Sequence, residues 1–424
     1  MRELLGFDPR NYTPLVIAKA THAINDTRSF KSASGNLHHV GGLDLSAKTL
    51  QRLAGDIGAE LAERRDTKDA DNALTAKPDK PPQLAVVEVD GGRIRTREPG
   101  HGQGVHRTGN GWREYKAGVL IDVMLKTLHE DPRPNPPPCF LSPEHVGKLL
   151  EVAALSVAAP PGSDDEAAAD ANRNSNAKDN AADDTPESGR LDRLERGVRT
   201  VLASMSCSDE FGRQMHREAT RRLFFDAPMQ AFLGDGLPWN WTIWRRHFPT
   251  FEPILDFIHA LSYVFKAARA VHEKEPDAWS QYEVWMTGCW RGEVLQVLSE
   301  MRVHQDRIGK PPEDCEDTDD RKVLATSIGY LESNASRMDY PRYRELGLPI
   351  TTSWMESCIK ELNYRVKGTE MFWNDPSGAE AILQIRSAGL SGDGRLSEHL
   401  AARPGWPFAR RPKPTSLAVA TNRS

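Results

Sequence analysis

The chain has 424 residues, 27% of them charged, with a formal net charge of -5, a length that permits a sizeable core and more than one folded unit. No apolar run approaches the ~18 residues that span a bilayer, and the N-terminus lacks the charged, apolar and small-residue order of a secretory signal. Five cysteines, Cys139, Cys207, Cys289, Cys315 and Cys358, are scattered without a close pair, which argues against a zinc ribbon or disulfide frame and fits a reducing cytoplasm. The net charge conceals an acidic segment, 158–190, with eight Asp/Glu against three Lys/Arg, so the remainder is close to neutral with basic stretches.

Residues 29–61 read as a helix, a Gly-Gly turn and a second helix. Phe30, Ala33, Leu37 and Val40 form the first apolar stripe; Ser46 is the N-cap of the second helix, and Leu50, Leu53, Ile57 and Leu61 follow at helical spacing. Two readings are open: a helix-turn-helix that offers Lys48, Gln51 and Arg52 to a DNA groove, or an ordinary helical hairpin. Residues 64–82 are polar and contain Pro, as a linker would.

The stretch LAVVEVDGG at 84–92 is an apolar strand that ends on an acid. Leu84, Val86, Glu88 and Asp90 share one face by the two-residue period, so two carboxylates point the same way. A carboxylate at the end of so apolar a run needs a cation or donors to offset its burial. A hairpin turn at Asp90-Gly91 is the competing reading. His101 and His106 follow in a Gly-rich loop and read as loop histidines, because no other residues at zinc-ligand spacing accompany them. WREYKAGVLIDVML reads as a second strand, with Trp112, Glu114 and Lys116 on one face. A Pro-rich break at 132–138 precedes a helix over 141–157, and the acidic tract lacks the aromatic and β-branched residues that would offset its ordering entropy.

Residues 191–225 show helix-like periodicity. MQAFLGDG at 229–236 repeats the earlier pattern of apolar strand, acid and glycine, now with Asp235. Asp256 and His259 open a long helix with Phe257, Leu261, Val264, Phe265 and Ala268 as its buried stripe, and an N-cap and a core histidine are respectable structural readings of the pair. Trp279, Trp285 and Trp290 read as core residues of another helix ending near Arg302. In SWMESCIKELNYRVKGTEMFW, Ser353 and Glu356 have capping-box spacing, and Glu356 and Lys360 have ion-pair spacing. Lys360, Arg365 and Lys367 close to a carboxylate also suit a phosphate backbone held beside metal. The tail at 403–413 is basic and Pro-rich.

Taken together, VEVDGGRIRTRE, FLGDG, DFIH and SWMESCIKELNYRVKGTEMFW resemble bacterial ISKra-type insertion-sequence transposases, within the Mutator-like branch of DDE transposases. The resemblance covers about 29–412 apart from the acidic insertion. It implies an α/β (α+β mixed-sheet) fold: an RNase H-like core interrupted by an all-α insertion, with an N-terminal helix-turn-helix-like unit. It implies the divisions 1–66 (helical, DNA-binding), 67–83 (linker), 84–255 (first part of the core, with 158–190 inserted), 256–345 (all-α insertion), 346–400 (last part of the core) and 401–424 (basic tail).

Asp90, Asp235 and Glu356 match the three catalytic acids, holding two Mg2+ or Mn2+ ions, while Asp256 and His259 match a supporting signature. Asp256 is the rival second acid; Asp235 is preferred because it ends a strand. Lys360, Arg365 and Lys367 are the expected phosphate contacts, joined by Lys48, Gln51 and Arg52. The expected partners are transposon-end and target DNA, with a homo-oligomer on the ends and a cytoplasmic, nucleoid-associated location. Relatives often begin with a Cys-rich segment that is missing before MRELLGFDPR, so either the start is truncated or end recognition rests on the helical hairpin. A nuclease without strand transfer and a non-catalytic DNA-binding remnant are the alternatives.

Overall fold

The computed structural model describes residues 7–8, 10–68, 78–97, 111–125, 128–156, 194, 196–368, 372–374, 376–403 and 405. The loop with His101 and His106, the acidic segment 158–190 and nearly all of the basic tail lie outside the described residues.

Three helices come first: α1 (Pro14–Asp26), α2 (Phe30–His39) and α3 (Ala47–Asp66). Each begins on a hydroxyl cap: Thr13 accepts from the Val16 N–H, Ser29 from Ser32 and Ser46 from Thr49. Leu50, Leu53, Ile57 and Leu61 are buried as their spacing requires. Val40 departs from the expected stripe and is 84% exposed, because α2 ends at His39 and Val40 caps it. Helix α1 falls within the 1–66 division expected to be helical, ahead of the hairpin read over 29–61.

Among the described residues five strands, β1 (Leu84–Arg95), β2 (Trp112–Val123), β3 (Arg196–Ser204), β4 (Met229–Gly234) and β5 (Glu252–Leu255), form one mixed sheet in the order β3-β2-β1-β4-β5. β2 runs antiparallel to both neighbours, whereas β1, β4 and β5 are mutually parallel. β1 is the centre of the sheet and covered on both faces, which is why 84–89 is apolar on both parities apart from Glu88. The chain does not turn at Asp90-Gly91: β1 runs straight through both glycines to Arg95. β3 replaces part of the helix expected over 191–225. Val198, Val201 and Leu202 have helical spacing, but pairing with β2 decides the outcome, and among the described residues of that range only Ser208–Arg221 is α-helical.

After β2 comes α4 (Pro143–Ser156); α5 (Ser208–Arg221) and α6 (Pro238–His247) cover one face of the sheet. Between β5 and the next sheet-covering helix lie α7 (Phe257–Val271), α8 (Glu275–Trp290), α9 (Val294–Ile308), α10 (Asp320–Asn334) and α11 (Tyr340–Glu345). The one helix expected through the tryptophans to Arg302 is two, parted at Gly292 with its positive φ of 77°. Trp285 and Trp290 are core residues and Trp279 packs at its edge.

Helices α12 (Ser353–Val366) and α13 (Pro376–Leu390) cover the other sheet face, and α14 (Arg395–Ala401) follows. Among the described residues one hydrophobic cluster includes residues from α1 to α14, so the helices α1 to α3 share the core of the rest. Among the described residues no helix is long and apolar enough to cross a membrane.

Candidate active site

The parallel pairing of β1 with β4 runs from Leu84 opposite Met229 to Val89 opposite Gly234. The next residue on each side is an acid, so Asp90 and Asp235 stand side by side where the two strands part. Both are buried, and each binds a nearby backbone donor: Gly91 N–H gives 2.6 Å to Asp90 Oδ1, and Leu237 N–H gives 3.0 Å to Asp235 Oδ1. Asn240 Nδ2 also donates to Asp235 Oδ1. The Tyr330 hydroxyl fixes the same turn by donating to the Asp235 carbonyl at 2.6 Å.

Burial pushes the Asp90 carboxyl well up, and the neighbouring Asp235 pushes it further. Asp235 is raised by burial, with His259 acting in the opposite direction. Two buried like charges side by side favour either a proton or a cation there.

Asp256 is the N-cap of α7, and its two oxygens are committed. Oδ2 accepts from the His259 N–H at 3.0 Å and lies 2.5 Å from His259 Nδ1; Oδ1 accepts from the Thr352 N–H at 2.9 Å. It therefore ties β5 and α7 to the start of α12. Burial works against charge on His259, but the Asp256 hydrogen bond and the fields of Asp256, Asp235 and Asp90 raise it to about 9. Its Nε2 is buried and has no hydrogen-bond partner among the described residues. The imidazolium is thus held at Nδ1 and acts electrostatically on the acid pair.

Glu356 lies half-buried in the first turn of α12. The expected capping box does not form, because Thr352 occupies the N-cap and makes no side-chain cap bond. Two acids from elsewhere take over the helix start: Asp256 on Thr352, and Glu88, whose Oε2 accepts from the Met355 N–H at 2.8 Å. Glu88 is fully buried and raised well above the ordinary carboxyl range by burial, then by Asp256 and Glu356. Glu356 is raised by burial and by Asp256, while Lys360 and His259 oppose it. Glu88 has Asp90's parity on β1, the one sequence signal that marks it; no spacing rule marks Asn240 or Tyr330.

Tyr115 gives α12 a further anchor, its hydroxyl donating to Asn363 Oδ1 at 2.9 Å. A Cβ on Gly92 would stand 2.2 Å from the Tyr115 ring, so the second glycine of the Asp-Gly-Gly step makes room for that anchor.

The structure thus links Glu88, Asp90, Asp235, Asp256 and Glu356 through a chain of pairwise electrostatic contacts, with His259 acting on Asp90, Asp235, Asp256 and Glu356. Among the described residues no three His, Cys, Asp or Glu side chains converge into one metal-holding set. The donor chemistry of Asp90 and Asp235 suits a hard cation; Glu356 belongs to the same electrostatic cluster without completing a closed ligand set with them.

Of the expected phosphate contacts, Lys360 and Lys367 are exposed on α12 and just past its end. Arg365 is not available: it is 2% exposed and donates to the Ile24 and Arg28 carbonyls at 3.2 Å each, with its guanidinium 4.6 Å from the Phe30 ring centroid. Burial brings it down to about 10. Lys48, Gln51 and Arg52 are exposed near the start of α3, with Lys48 donating to Gln51. No protein-family model matches the chain, and no curated protein matches its sequence.

Proposed function

We propose that the protein is a DDE-type transposase that cuts DNA at element ends and joins the ends to a target. The observation that carries this reading is the meeting of Asp90 and Asp235 at the adjacent ends of two parallel strands, with the start of α12, and hence Glu356, fastened beside them by Glu88 and Asp256. A five-stranded mixed sheet with acids after β1 and β4, and a third acid on a helix reached through an all-helical segment, is the arrangement expected of an RNase H-like core with an α insertion.

In this reading Asp90, Asp235 and Glu356 are the residues that would hold the metal. When bound, two hard cations supply an activated water or DNA 3'-hydroxyl and stabilise the departing oxygen. The chain's own residues do the rest. Gly91, Leu237 and Asn240 hold the carboxylates of Asp90 and Asp235 in place. Asp256 serves as a brace rather than as the second acid, both its oxygens being engaged. Protonated His259 offsets part of the acids' repulsion. Lys360 and Lys367 present positive charge on the Glu356 helix side.

The test is nicking of plasmid DNA with Mg2+ or Mn2+. The wild type is expected to nick; Asp90→Asn and Asp235→Asn are expected to fall to background with DNA binding retained. Nicking by Asp90→Asn at the wild-type rate overturns the reading. Supplying pre-cut ends and assaying joined product separates a transposase from a nuclease. A DNA-binding protein that never cuts is a second reading, favoured by the lack of a closed three-ligand set among the described residues; it predicts binding and no nicking in either metal.

A further inference from the structure

The sheet holds β4 only up to the residue before the second acid. Gly234 is the last paired position on both sides, opposite Val89 of β1 and Leu255 of β5, and its carbonyl accepts from the Asp256 N–H at 3.0 Å. From Asp235 onward the chain turns, and Gly236 adopts a positive φ of 91°. A carboxylate carried on such a turn keeps a fixed place only if something beyond the strand pairing holds the turn.

Helix α10 supplies that hold from 95 positions further along the chain. Its Tyr330 hydroxyl donates to the Asp235 carbonyl at 2.6 Å, and the same side chain packs on Gly236, where a Cβ would come within 2.7 Å of the ring. Tyr263 on α7 fixes the ring in turn, stacked on it with 3.7 Å between centroids and 14° between planes. One turn further along α10, the buried Asn334 donates to the Tyr330 carbonyl at 2.9 Å and accepts from Trp241 Nε1 at 2.8 Å. Arg337, just past the helix, lies 4.4 Å from the Trp241 ring centroid. Trp241 follows Asn240, whose amide donates to the Asp235 carboxylate. Helix α10 therefore grips the Asp235 turn directly through Tyr330, and through Asn334 it grips α6, which carries the side-chain donor.

We propose that Tyr330 is a positioning residue for Asp235, and that α10 is the element through which the helical segment sets the second acid of the site; this rests on the reading of Asp90 and Asp235 as metal-holding acids. The segment between β5 and α12 then acts on the site itself, beyond separating the second acid from the third. Without the hydroxyl the peptide between Asp235 and Gly236 is free to rotate, because glycine accepts either sign of φ, and the carboxylate moves with it. A carboxylate displaced in this way binds metal less well while the fold stays intact.

Tyr330→Phe keeps the ring over Gly236 and the stack on Tyr263 and removes only the hydroxyl. Tyr282→Phe is its control: it too loses a hydroxyl that donates to a backbone carbonyl, that of Phe140 at 3.1 Å, in the same helical segment but with no bond to the Asp235 turn. Both full-length variants are compared with the wild type, with thermal midpoints confirming that all three fold. Mn2+ binding without DNA is read from the loss of the free-ion EPR signal, deuterium exchange from the peptide covering 233–241, and plasmid nicking from its rate and its dependence on DNA concentration. Tyr330→Phe is expected to weaken Mn2+ binding and slow nicking roughly tenfold each, to speed exchange in the peptide, and to leave the half-saturating DNA concentration unchanged. Tyr282→Phe is expected to match the wild type throughout. Unchanged Mn2+ affinity and exchange in Tyr330→Phe overturn the positioning role and leave the catalytic reading standing if the wild type nicks. An equal loss in Tyr282→Phe also overturns it, since any lost hydroxyl would then suffice. A wild type that binds Mn2+ and cuts no DNA, with Tyr330→Phe weakening the metal, does the reverse: the positioning stands and the DNA-cutting reading falls. A wild type that binds no Mn2+ overturns both.

Discussion

Glu88 shows how one buried side chain can set the position of another. Its carboxylate caps the Met355 N–H and so holds the turn that carries Glu356. Glu88→Gln keeps an acceptor and removes a buried charge, so its stability is expected to equal or exceed that of the wild type. Glu88→Ala leaves the amide buried without a partner and is expected to cost about 1–3 kcal/mol. Urea unfolding of the two variants decides it; an Ala variant as stable as the Gln variant would show that the bond contributes nothing. The same cluster fixes a pH dependence. Glu88, Asp90, Asp235 and Glu356 all have carboxyls raised by burial, so each binds more protons folded than unfolded, and its contribution falls as pH climbs past the unfolded value. His259, raised to about 9, stabilises fully below its unfolded value near ~6.5 and loses that contribution as pH passes 9. Both kinds of group act in one direction above pH 5. The metal-free thermal midpoint is expected to drop from pH 5 to pH 9, less steeply in Asp90→Asn, with Mg2+ restoring part of the loss at pH 8. A midpoint that climbs over that range would contradict the cluster's electrostatics.

At the scale of elements, Arg365 on α12 and Lys367 just past its end have opposite fates. Arg365 is packed between Phe30 and Trp373 and donates to carbonyls at the end of α1. Removing it empties that space and strands the carbonyls, so Arg365→Ala is expected to cost about 2–4 kcal/mol while the folded variant binds DNA normally. Lys367→Ala is expected to stay within about 0.5 kcal/mol of the wild type and to weaken DNA binding; chemical denaturation and anisotropy on both variants test the split. Sequence spacing could not separate the two residues, because what buries Arg365 is α1, more than 300 positions away. The same distinction governs what was legible elsewhere. β1, β4 and the start of α7 were readable because each pairs an apolar run with an acid at its boundary, a local signal. β3 was not, since its apolar residues fit a helix and only β2 makes them a strand. The acids of the site were legible one by one, but the fastening of α12 by Glu88 and Asp256 joins residues 267 and 96 positions apart. Local spacing instead suggested a capping box from Ser353, which does not form.

At the scale of the whole molecule, the helices α1 and α3 pack on the side of α13 that faces away from the sheet. Helix α3 lies on α13 so closely that a Cβ on Gly58 would come within 2.5 Å of the Ala381 Cα, and α13 in turn covers β3. At the same corner Arg65 pairs with Glu380, which also accepts from the Met205 N–H just past β3. A contact of that kind has no flexible side chain to move aside, so Gly58→Val forces helix and helix apart. Its expected cost is about 1–3 kcal/mol, the range for overpacking a close-packed core. A chain beginning at residue 78 would expose the inner face of α13 and the Arg365 side of α12 together. It is expected to lose its sharp thermal transition and to bind a hydrophobic dye, whereas a detachable DNA-reading module would leave the remainder folded. A cooperative transition and wild-type nicking from the shortened chain would make the N-terminal helices a separate domain. Their loss with the transition would mean that any DNA contact made by Lys48, Gln51 and Arg52 is rigidly linked, through α3, α13 and the sheet, to the strand ends that carry Asp90 and Asp235.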